Sequence, residues 1–224
     1  MTAVWNKIEE LALYIESQFK KTGTPQTTNI DHYTWYNALY TSSKYRRAHL
    51  EIVDNRESHG IYILHCTIFP HFNDPSPIWG FDAVCGLNKI TGAFHDFSPA
   101  GDPEHSMCGE FARIASSVQF TRQRELPQWA QQIFGSNMVA AGNIKEDCEI
   151  DNLCDLAKTS LNYYLDHVGL SQESLFDYHM AQDRYCYYQK KNPHVVRSMV
   201  NMGVEEAKIR EFVDKVLFPE FDKY

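Results

Sequence analysis

The sequence predicts an α/β protein, a three-layer α/β/α sandwich with a central antiparallel sheet. Four short β-rich runs lie between residues 45 and 99, and turn-prone segments rather than helices connect them, which is typical of antiparallel strands. The second run, IYILHCTIFP, is apolar on both of its alternating faces. Amphipathic helical patterns precede and follow the four runs. Helices are therefore expected on both faces of the sheet.

The chain before the sheet is expected to begin with a helix over residues 4–20. Apolar residues recur there at spacings of three and four: Val4, Ile8, Leu11, Ile15 and Phe19. Gly23 and Pro25 end this helix within residues 22–28. The aromatic-rich segment 32–41 follows, and it is either a first edge strand or an irregular lead-in to the sheet.

The four strands come next, as YRRAHLEIV (45–53), IYILHCTIFP (61–70), IWGFDAVCG (78–86) and KITGAFHDFSP (89–99). Segments rich in Asn, Asp, Pro and Gly separate them, so the connections are short turns. Because side chains alternate between the two faces of a strand, Arg47, His49 and Glu51 share one face of the first strand.

The chain after the sheet is expected to be mostly helical. The patterns predict helices over 107–121, 146–168, 171–191 and 203–217, and a short strand over 137–143. Pro127 breaks the segment around QRELPQWAQQIF, and Asn192-Pro193 interrupts the third of these helices, because proline cannot donate a backbone hydrogen bond. No repeat or linker divides the sequence, so residues 1–224 are expected to form a single domain.

Composition excludes several classes of function. The formal net charge is −8, which is unsuited to general nucleic-acid binding. Neither a membrane span nor a secretory signal is recognisable, and the six cysteines lack the spacing of zinc or iron–sulfur sites. Common nucleotide-binding loops are absent as well. We expect a cytoplasmic monomer with reduced thiols that binds neither nucleic acid nor a membrane.

Polar residues interrupt the apolar strands at His49, Glu51, His65, Asp82 and Asp96. A buried carboxylate must be paired or protonated, so such residues gathered in one pocket would be suited to moving protons. We expect Glu51, His65 and Asp96 to meet on neighbouring strands. The alternative interpretations are that Asp96 caps the turn at Ser98-Pro99 and that His65 is a hydrogen-bonded core residue.

Two further interpretations concern metal and charge. A metal site from His49, Glu51, His65 and His71 lacks any recognised ligand spacing, and we expect no metal. Basic residues stand out in an acidic chain, and they either form a solvated face or bind the carboxylates of a ligand or of an acidic partner. They are Arg46, Arg47, Arg122, Arg124, Lys190 and Lys191.

The runs YRRAHLEIV, GIYILHCTIFP, PIWGFDAVCG and AFHDFSP, together with QRELPQWAQQIF and YCYYQKKN, resemble the ferredoxin-dependent bilin reductases. The resemblance extends over residues 45–218. It implies an α/β/α sandwich in which the open-chain tetrapyrrole biliverdin IXα binds between the sheet and the C-terminal helices. It also implies that no cofactor is bound permanently, that reduced ferredoxin supplies single electrons, and that the protein supplies protons to bilin radical intermediates.

The resemblance implies roles for residues of this sequence. Asp96 matches the central proton donor, His65 its partner, and Glu51 the donor to the D-ring vinyl group, with His49 supporting them. The residues expected to bind substrate are Arg124, Asn192, His194 and Arg47. The residues expected to form a basic docking surface for an acidic ferredoxin are Lys44, Arg46, Arg122, Lys190 and Lys191.

The expected reaction is reduction of biliverdin at the D-ring exovinyl group and then at the A-ring, which gives phycocyanobilin. Pro193 and His194 depart from the family pattern, as does Phe97 after Asp96. These departures leave open a two-electron reduction that stops at 18-ethyl biliverdin. The sequence is also compatible with a reductase that forms phycoerythrobilin and with a non-catalytic bilin carrier.

Overall fold

The computed structural model describes residues 4–26, 35–170 and 176–222. Part of the expected lead-in segment (32–34) and the start of the expected helix 171–191 (171–175) therefore lie outside the described residues. The helices of the described ranges are α1 (Val4–Thr22), α2 (Arg56–His59), α3 (Ser106–Ala115), α4 (Asp147–His167), α5 (His179–Gln189), α6 (Pro193–Asn201) and α7 (Glu206–Phe212). A short 3-10 turn at Ala130–Gln132 and a π-helical turn at Val213–Leu217 complete them.

The described strands form one sheet in which sequence order and spatial order coincide. They are β1 (Thr24–Gln26), β2 (Tyr36–Thr41), β3 (Tyr45–Asn55), β4 (Ile61–Pro70), β5 (Ile78–Cys85), β6 (Ile90–Ser98) and β7 (Val139–Ala141). Every neighbouring pair is antiparallel. The predicted meander and the short strand within 137–143 are confirmed.

The N-terminal edge of the sheet differs from the expectation. Residues 36–41 are a strand, but β2 is not the edge, because β1 pairs outside it with Thr24 opposite Thr41. The segment that was expected only to end the first helix thus adds a strand. The chain turns sharply at Gly23, where a side chain would collide with the Tyr45 hydroxyl.

Some helical segments are shorter than expected. Helix α3 ends at Ala115 rather than 121, where Ser116 and Ser117 turn their hydroxyls back onto helix carbonyls. The segment after Pro127 forms only the 3-10 turn at Ala130–Gln132. Helix α7 begins at Glu206 rather than 203, because Gly203 adopts a positive φ of 85° and breaks the helical path.

Helices cover both faces of the sheet, as predicted. On one face α1, α3 and α4 pack over a core that includes Leu50, Leu64 and Phe81. On the other face α5, α6 and α7 lie over a second cluster that includes Phe69 and Ile78. The three-layer α/β/α sandwich is confirmed. None of the helices in the described ranges has the length and apolar character that a membrane span requires.

Candidate active site

A row of titratable residues crosses the middle of the sheet on the face under α5–α7. Glu51 on β3 pairs with His65 on β4, and His65 pairs with Asp82 on β5. The same row continues to Phe94 on β6. Residues directly opposite in antiparallel strands have Cβ atoms about 5 Å apart, so these side chains are neighbours. His65 Nδ1 lies 4.0 Å from Glu51 Oε2.

Glu51 is held as a neutral acid at the inner end of this row. Its side chain lies deep in the protein, and burial raises its pKa to about 8. A hydrogen bond from the Trp35 side chain opposes that rise, and the nearby Asp82 carboxyl adds to it. At pH 7 about nine Glu51 side chains in ten therefore carry a proton.

The two histidines of the site are neutral. Burial lowers the pKa of His65 to about 4, and the charge of Arg47 contributes to that lowering. Burial likewise holds the pKa of His49 well below its ordinary value. His49 Nε2 lies 2.9 Å from Asn37 Oδ1, which is a hydrogen-bond acceptor, so His49 carries its hydrogen on Nε2. The structure thus brings His49 and His65 to the site as expected from the sequence.

Asp82 is the third titratable member of the row, and the sequence analysis counted it among the polar strand residues without giving it an individual role. Burial raises its pKa from 3.8 to about 7, so at pH 7 it is close to half protonated. The residue is only half-buried, unlike Glu51. The signal in the sequence was the placement of an acid two residues after Gly80, on one face of an otherwise apolar strand. Only the strand register shows that this acid lies opposite His65.

Asp96 is not part of the row, which corrects the expectation that it lies beside His65. Strand β5 separates β4 from β6, and Asp96 pairs with Gly80 in the adjacent row. Asp96 Oδ2 accepts hydrogen bonds from Ser98 Oγ and from the backbone N–H of Gly135, each at 2.8 Å. Burial raises the pKa of Asp96 to about 6, and these hydrogen bonds oppose the rise. The alternative interpretation, in which Asp96 organises the turn at Ser98, describes these contacts.

His95 points to the opposite face of the sheet. Its Nδ1 lies 2.6 Å from the Gly80 carbonyl oxygen and its Nε2 lies 2.6 Å from Ser160 Oγ on α4. Burial lowers its pKa to about 4, so the ring is neutral. His95 thus ties β5 and β6 to α4 and fixes the backbone on which Asp82 and Asp96 stand.

Arg124 lies at the outer end of the row. Its guanidinium stands 5.8 Å from the centre of the Phe94 ring, and the residue is exposed. The side chain crosses the edge of the sheet over Gly92 and Gly142, and a Cβ at Gly142 would lie 2.5 Å from Arg124 Nε. Two residues without side chains therefore make room for this cation beside the row.

The other residues expected to bind substrate are placed differently. Arg47 lies beneath the π-helical turn, where it donates a hydrogen bond to the Val216 carbonyl oxygen, and burial lowers its pKa to about 10. Asn192 caps α6, with its Oδ1 accepting from the backbone N–H of His194 at 3.0 Å. His194 itself is exposed. Asn192 therefore has a structural role at the start of α6.

Three of the residues expected to dock ferredoxin make internal contacts. Lys44 Nζ donates to the Leu165 carbonyl oxygen at 2.8 Å. Arg46 donates to Gln182 and lies between the rings of Phe69 and Phe72. Lys190 pairs with Glu220 at 2.6 Å and with Asp214 at 3.2 Å. Arg122 and Lys191 are exposed. His71, from the alternative metal set, hydrogen-bonds the Ser42 carbonyl oxygen instead.

The C-terminal segment covers the inner end of the site. Phe212 packs on His49 with ring centres 6.3 Å apart, and Phe218 meets His65 edge-on at 5.7 Å. Beyond these rings, Asp183 accepts the backbone N–H groups of residues 221 and 222, each at 2.8 Å. Glu51 at the inner end of the row is consequently buried, whereas His65, Asp82 and Phe94 are partly exposed.

A family model described as ferredoxin-dependent bilin reductase matches residues 2–219 of the chain. The chain belongs to the ferredoxin-dependent bilin reductases. The resemblance seen in the sequence is thereby confirmed, and with it the membership in a family of oxidoreductases that draw electrons from ferredoxin.

Curated relatives in this family are distant. Phycocyanobilin:ferredoxin oxidoreductase of Prochlorococcus marinus strain MIT 9515 is 27% identical over 191 residues, which cover 81% of this chain and 76% of that protein. The enzyme of the same name from Gloeobacter violaceus strain ATCC 29082 / PCC 7421 is 26% identical over 194 residues, which cover 84% of this chain and 75% of that protein.

Two solved structures share the fold of this chain. The structure of a protein named PcyX matches with a TM-score of 0.67 at 25% identity, over 96% of this chain and 97% of that chain. The crystal structure of tomato phytochromobilin synthase in complex with biliverdin matches with a TM-score of 0.74 at 14% identity, over 94% of this chain and 82% of that chain.

Proposed function

We propose that this bilin reductase reduces biliverdin IXα with electrons from ferredoxin, first at the D-ring exovinyl group and then at the A-ring, and releases phycocyanobilin. The observation that carries the proposal is the row Glu51–His65–Asp82, in which two acids flank a neutral histidine on the face under the C-terminal helices. The names of the curated relatives support the choice of product.

The row is suited to supply the protons of a stepwise reduction. Converting a vinyl group to an ethyl group adds two electrons and two protons. Ferredoxin delivers the electrons one at a time, so each must be matched by a proton before a bilin radical can react further. At pH 7 Glu51 holds one proton and Asp82 holds about half of one, because burial raises the pKa of both acids.

We assign the donors from their positions. Asp82 lies in the exposed part of the row and serves as the first proton donor to the bilin. Neutral His65, between the two acids, relays protons by accepting on one ring nitrogen and donating from the other. Glu51 at the inner end donates to the vinyl group, and His49 orients the inner end through Asn37.

Substrate binding would use the cations around the row. A biliverdin molecule lying along β4–β6 brings a propionate within reach of Arg124, whose charge lies at the rim over Phe94. Arg47 lies deeper, and we assign it to the second propionate. His194, which stands exposed on α6, meets a carboxylate when it is protonated.

Access to Glu51 requires the C-terminal segment to move. Glu51 and His49 are 5% and 0% exposed, so a tetrapyrrole cannot contact them while Phe212 and Phe218 cover them. The π-helical turn that carries this cover is held by its hydrogen bond from Arg47. We therefore propose that this segment opens when biliverdin enters. We also propose that the chain acts as a monomer with a single domain.

Electron transfer requires ferredoxin to dock near the bilin. The charge of −8 repels an acidic partner at long range, so the attraction must be local. Arg122 and Lys191 are exposed and we assign them to docking, while Lys44 adds a charge with no acidic partner among the described ion pairs. Lys190 contributes less, because its ion pairs with Glu220 and Asp214 offset its charge. Arg46 contributes less, because it is bonded to Gln182 and lies between the rings of Phe69 and Phe72.

The proposal is tested by incubating the full chain with biliverdin IXα and a reduced ferredoxin system and separating the products by chromatography. Phycocyanobilin is the expected product. Phycoerythrobilin as the sole product would overturn the D-ring assignment. Biliverdin that binds with a spectral change and is never consumed would identify a carrier instead of a reductase.

A second candidate is a two-electron reductase that stops at 18-ethyl biliverdin. The number of protons that the row can hold favours this activity. Glu51 and Asp82 together carry at most two protons, which is enough to reduce one vinyl group. A four-electron reduction needs the row to be refilled from solvent through the half-buried Asp82. Accumulation of 18-ethyl biliverdin with excess reductant would identify this activity.

A further inference from the structure

Thr67 presents a buried hydroxyl that no described group satisfies. The residue follows His65 by two positions on β4 and therefore faces the same side of the sheet. It is 0% exposed, and within the described ranges its Oγ1 has no hydrogen-bond partner. Leaving a buried hydroxyl unpaired costs free energy, so such atoms are rare in native structures.

The position of Thr67 is central to the candidate site. It pairs with His49 on β3 and with Gly80 on β5, and Gly80 pairs with Asp96. Thr67 thus stands in the row adjacent to Glu51–His65–Asp82. Gly80 has no side chain to approach the hydroxyl, and the Tyr185 hydroxyl lies over Gly80, where it accepts a hydrogen bond from Gln189 Nε2.

Other unsatisfied polar atoms share this surface. Arg47 Nη1, His49 Nδ1 and His65 Nδ1 are buried and have no hydrogen-bond partner in the described part of the chain. These atoms and Thr67 Oγ1 belong to two neighbouring strands and point to one face. A cluster of unsatisfied groups on the sheet face that the C-terminal segment covers indicates a polar ligand that completes them.

We propose that the Thr67 hydroxyl hydrogen-bonds a nitrogen or a lactam oxygen of the bound bilin and sets the height of the tetrapyrrole above the sheet between Asp82 and Glu51. A hydroxyl can accept from a pyrrole N–H or donate to a carbonyl oxygen, so it suits either group. The inference rests on the proposed function, because it takes biliverdin as the ligand. It adds a residue to which the sequence patterns assigned nothing.

The test compares Thr67→Val, which keeps the shape of the side chain, with Thr67→Ser, which keeps the hydroxyl. Biliverdin is titrated into each full-length protein and binding is followed by absorption. Loss of one neutral hydrogen bond weakens binding by about 2- to 12-fold. We expect that loss for Thr67→Val, with binding by Thr67→Ser closer to the wild type.

Thermal unfolding without ligand separates this role from a structural one. Thr67→Val removes an unsatisfied hydroxyl, so its melting temperature should equal or exceed that of the wild type while its affinity falls. A lowered melting temperature would show that the hydroxyl is bonded within the protein and would overturn the inference. Unchanged affinity and spectrum in Thr67→Val would overturn it too, while leaving the proposed function intact. Wild-type protein that does not bind biliverdin would overturn both.

Discussion

Replacing Asp82 with asparagine tests the register-based assignment of the first proton donor. Asparagine keeps the size of the side chain but cannot deliver a proton. Burial raises the pKa of Asp82 from 3.8 to about 7. At pH 7 the acid is therefore about half protonated, against roughly one molecule in 1,600 at the ordinary pKa. The structure thus increases the supply of this proton by about three orders of magnitude.

The expected effect is arrest after the first electron. A positioned general acid contributes about 100- to 10,000-fold to a rate, which corresponds to about 3–5 kcal/mol in the barrier. Asp82→Asn should bind biliverdin, accept one electron from reduced ferredoxin and accumulate a bilin radical. Anaerobic turnover followed by absorption and by electron paramagnetic resonance measures both the rate and the radical.

Asp96→Asn is the matched control, since it makes the same change on the same sheet face in the adjacent row. Asp96 is bonded to Ser98 and Gly135, so we expect a lowered melting temperature and turnover within a few-fold of the wild type. Radical arrest in Asp96→Asn together with normal turnover in Asp82→Asn would refute the assignment from strand register. Equal arrest in both variants would also contradict a single first donor.

Four further outcomes are expected. The pKa of Glu51 is about 8 in the folded state and 4.5 ordinarily, so the free energy of unfolding of the wild type falls as the pH rises between these values. Glu51→Gln should reduce the difference between the free energies of unfolding that urea titrations give at pH 6 and at pH 9. An unchanged difference would contradict a buried neutral Glu51. Arg124→Ala should weaken biliverdin binding several-fold but leave binding of the dimethyl ester unchanged; equal losses for both ligands would exclude a propionate contact. Asp183→Ala removes the acceptor of two C-terminal N–H groups and should speed hydrogen exchange in residues 213–222, whereas unaltered exchange would argue against this anchor. Arg122→Glu and Lys191→Glu should each raise the KM for ferredoxin at low salt, and KM values independent of both charge and salt would exclude these residues from docking.

The strands and their faces could be predicted because they depend on local alternation. The four central runs became β3–β6 within a residue or two of the expected positions, and His49, Glu51 and His65 lie on the face that alternation assigned. Helix ends were less predictable. Gly203 and the serines after α3 stop helices through backbone conformation and hydroxyl bonding, which apolar periodicity does not report.

The partner of His65 could not be predicted in the same way. Asp82 and Asp96 both lie on short strands next to a phenylalanine, and resemblance of the HDFSP segment favoured Asp96. Which acid stands opposite His65 depends on the order of the strands and on the residue-by-residue register of β4 with β5. A change of one residue in that register would place Asp82 on the opposite face of the sheet.

Local properties of the chain were sufficient for the fold class, the family and the presence of a sheet face that carries titratable residues, because strand alternation, helical periodicity and family motifs all lie within short segments. The packing of segments that are distant in the sequence decided which side chains of the candidate site lie next to one another. That packing placed Asp82 beside His65, tied Asp96 into the turn at Ser98, and laid Phe218 over the site. The pKa of each acid depends on the burial that such contacts create. No local pattern contains that information.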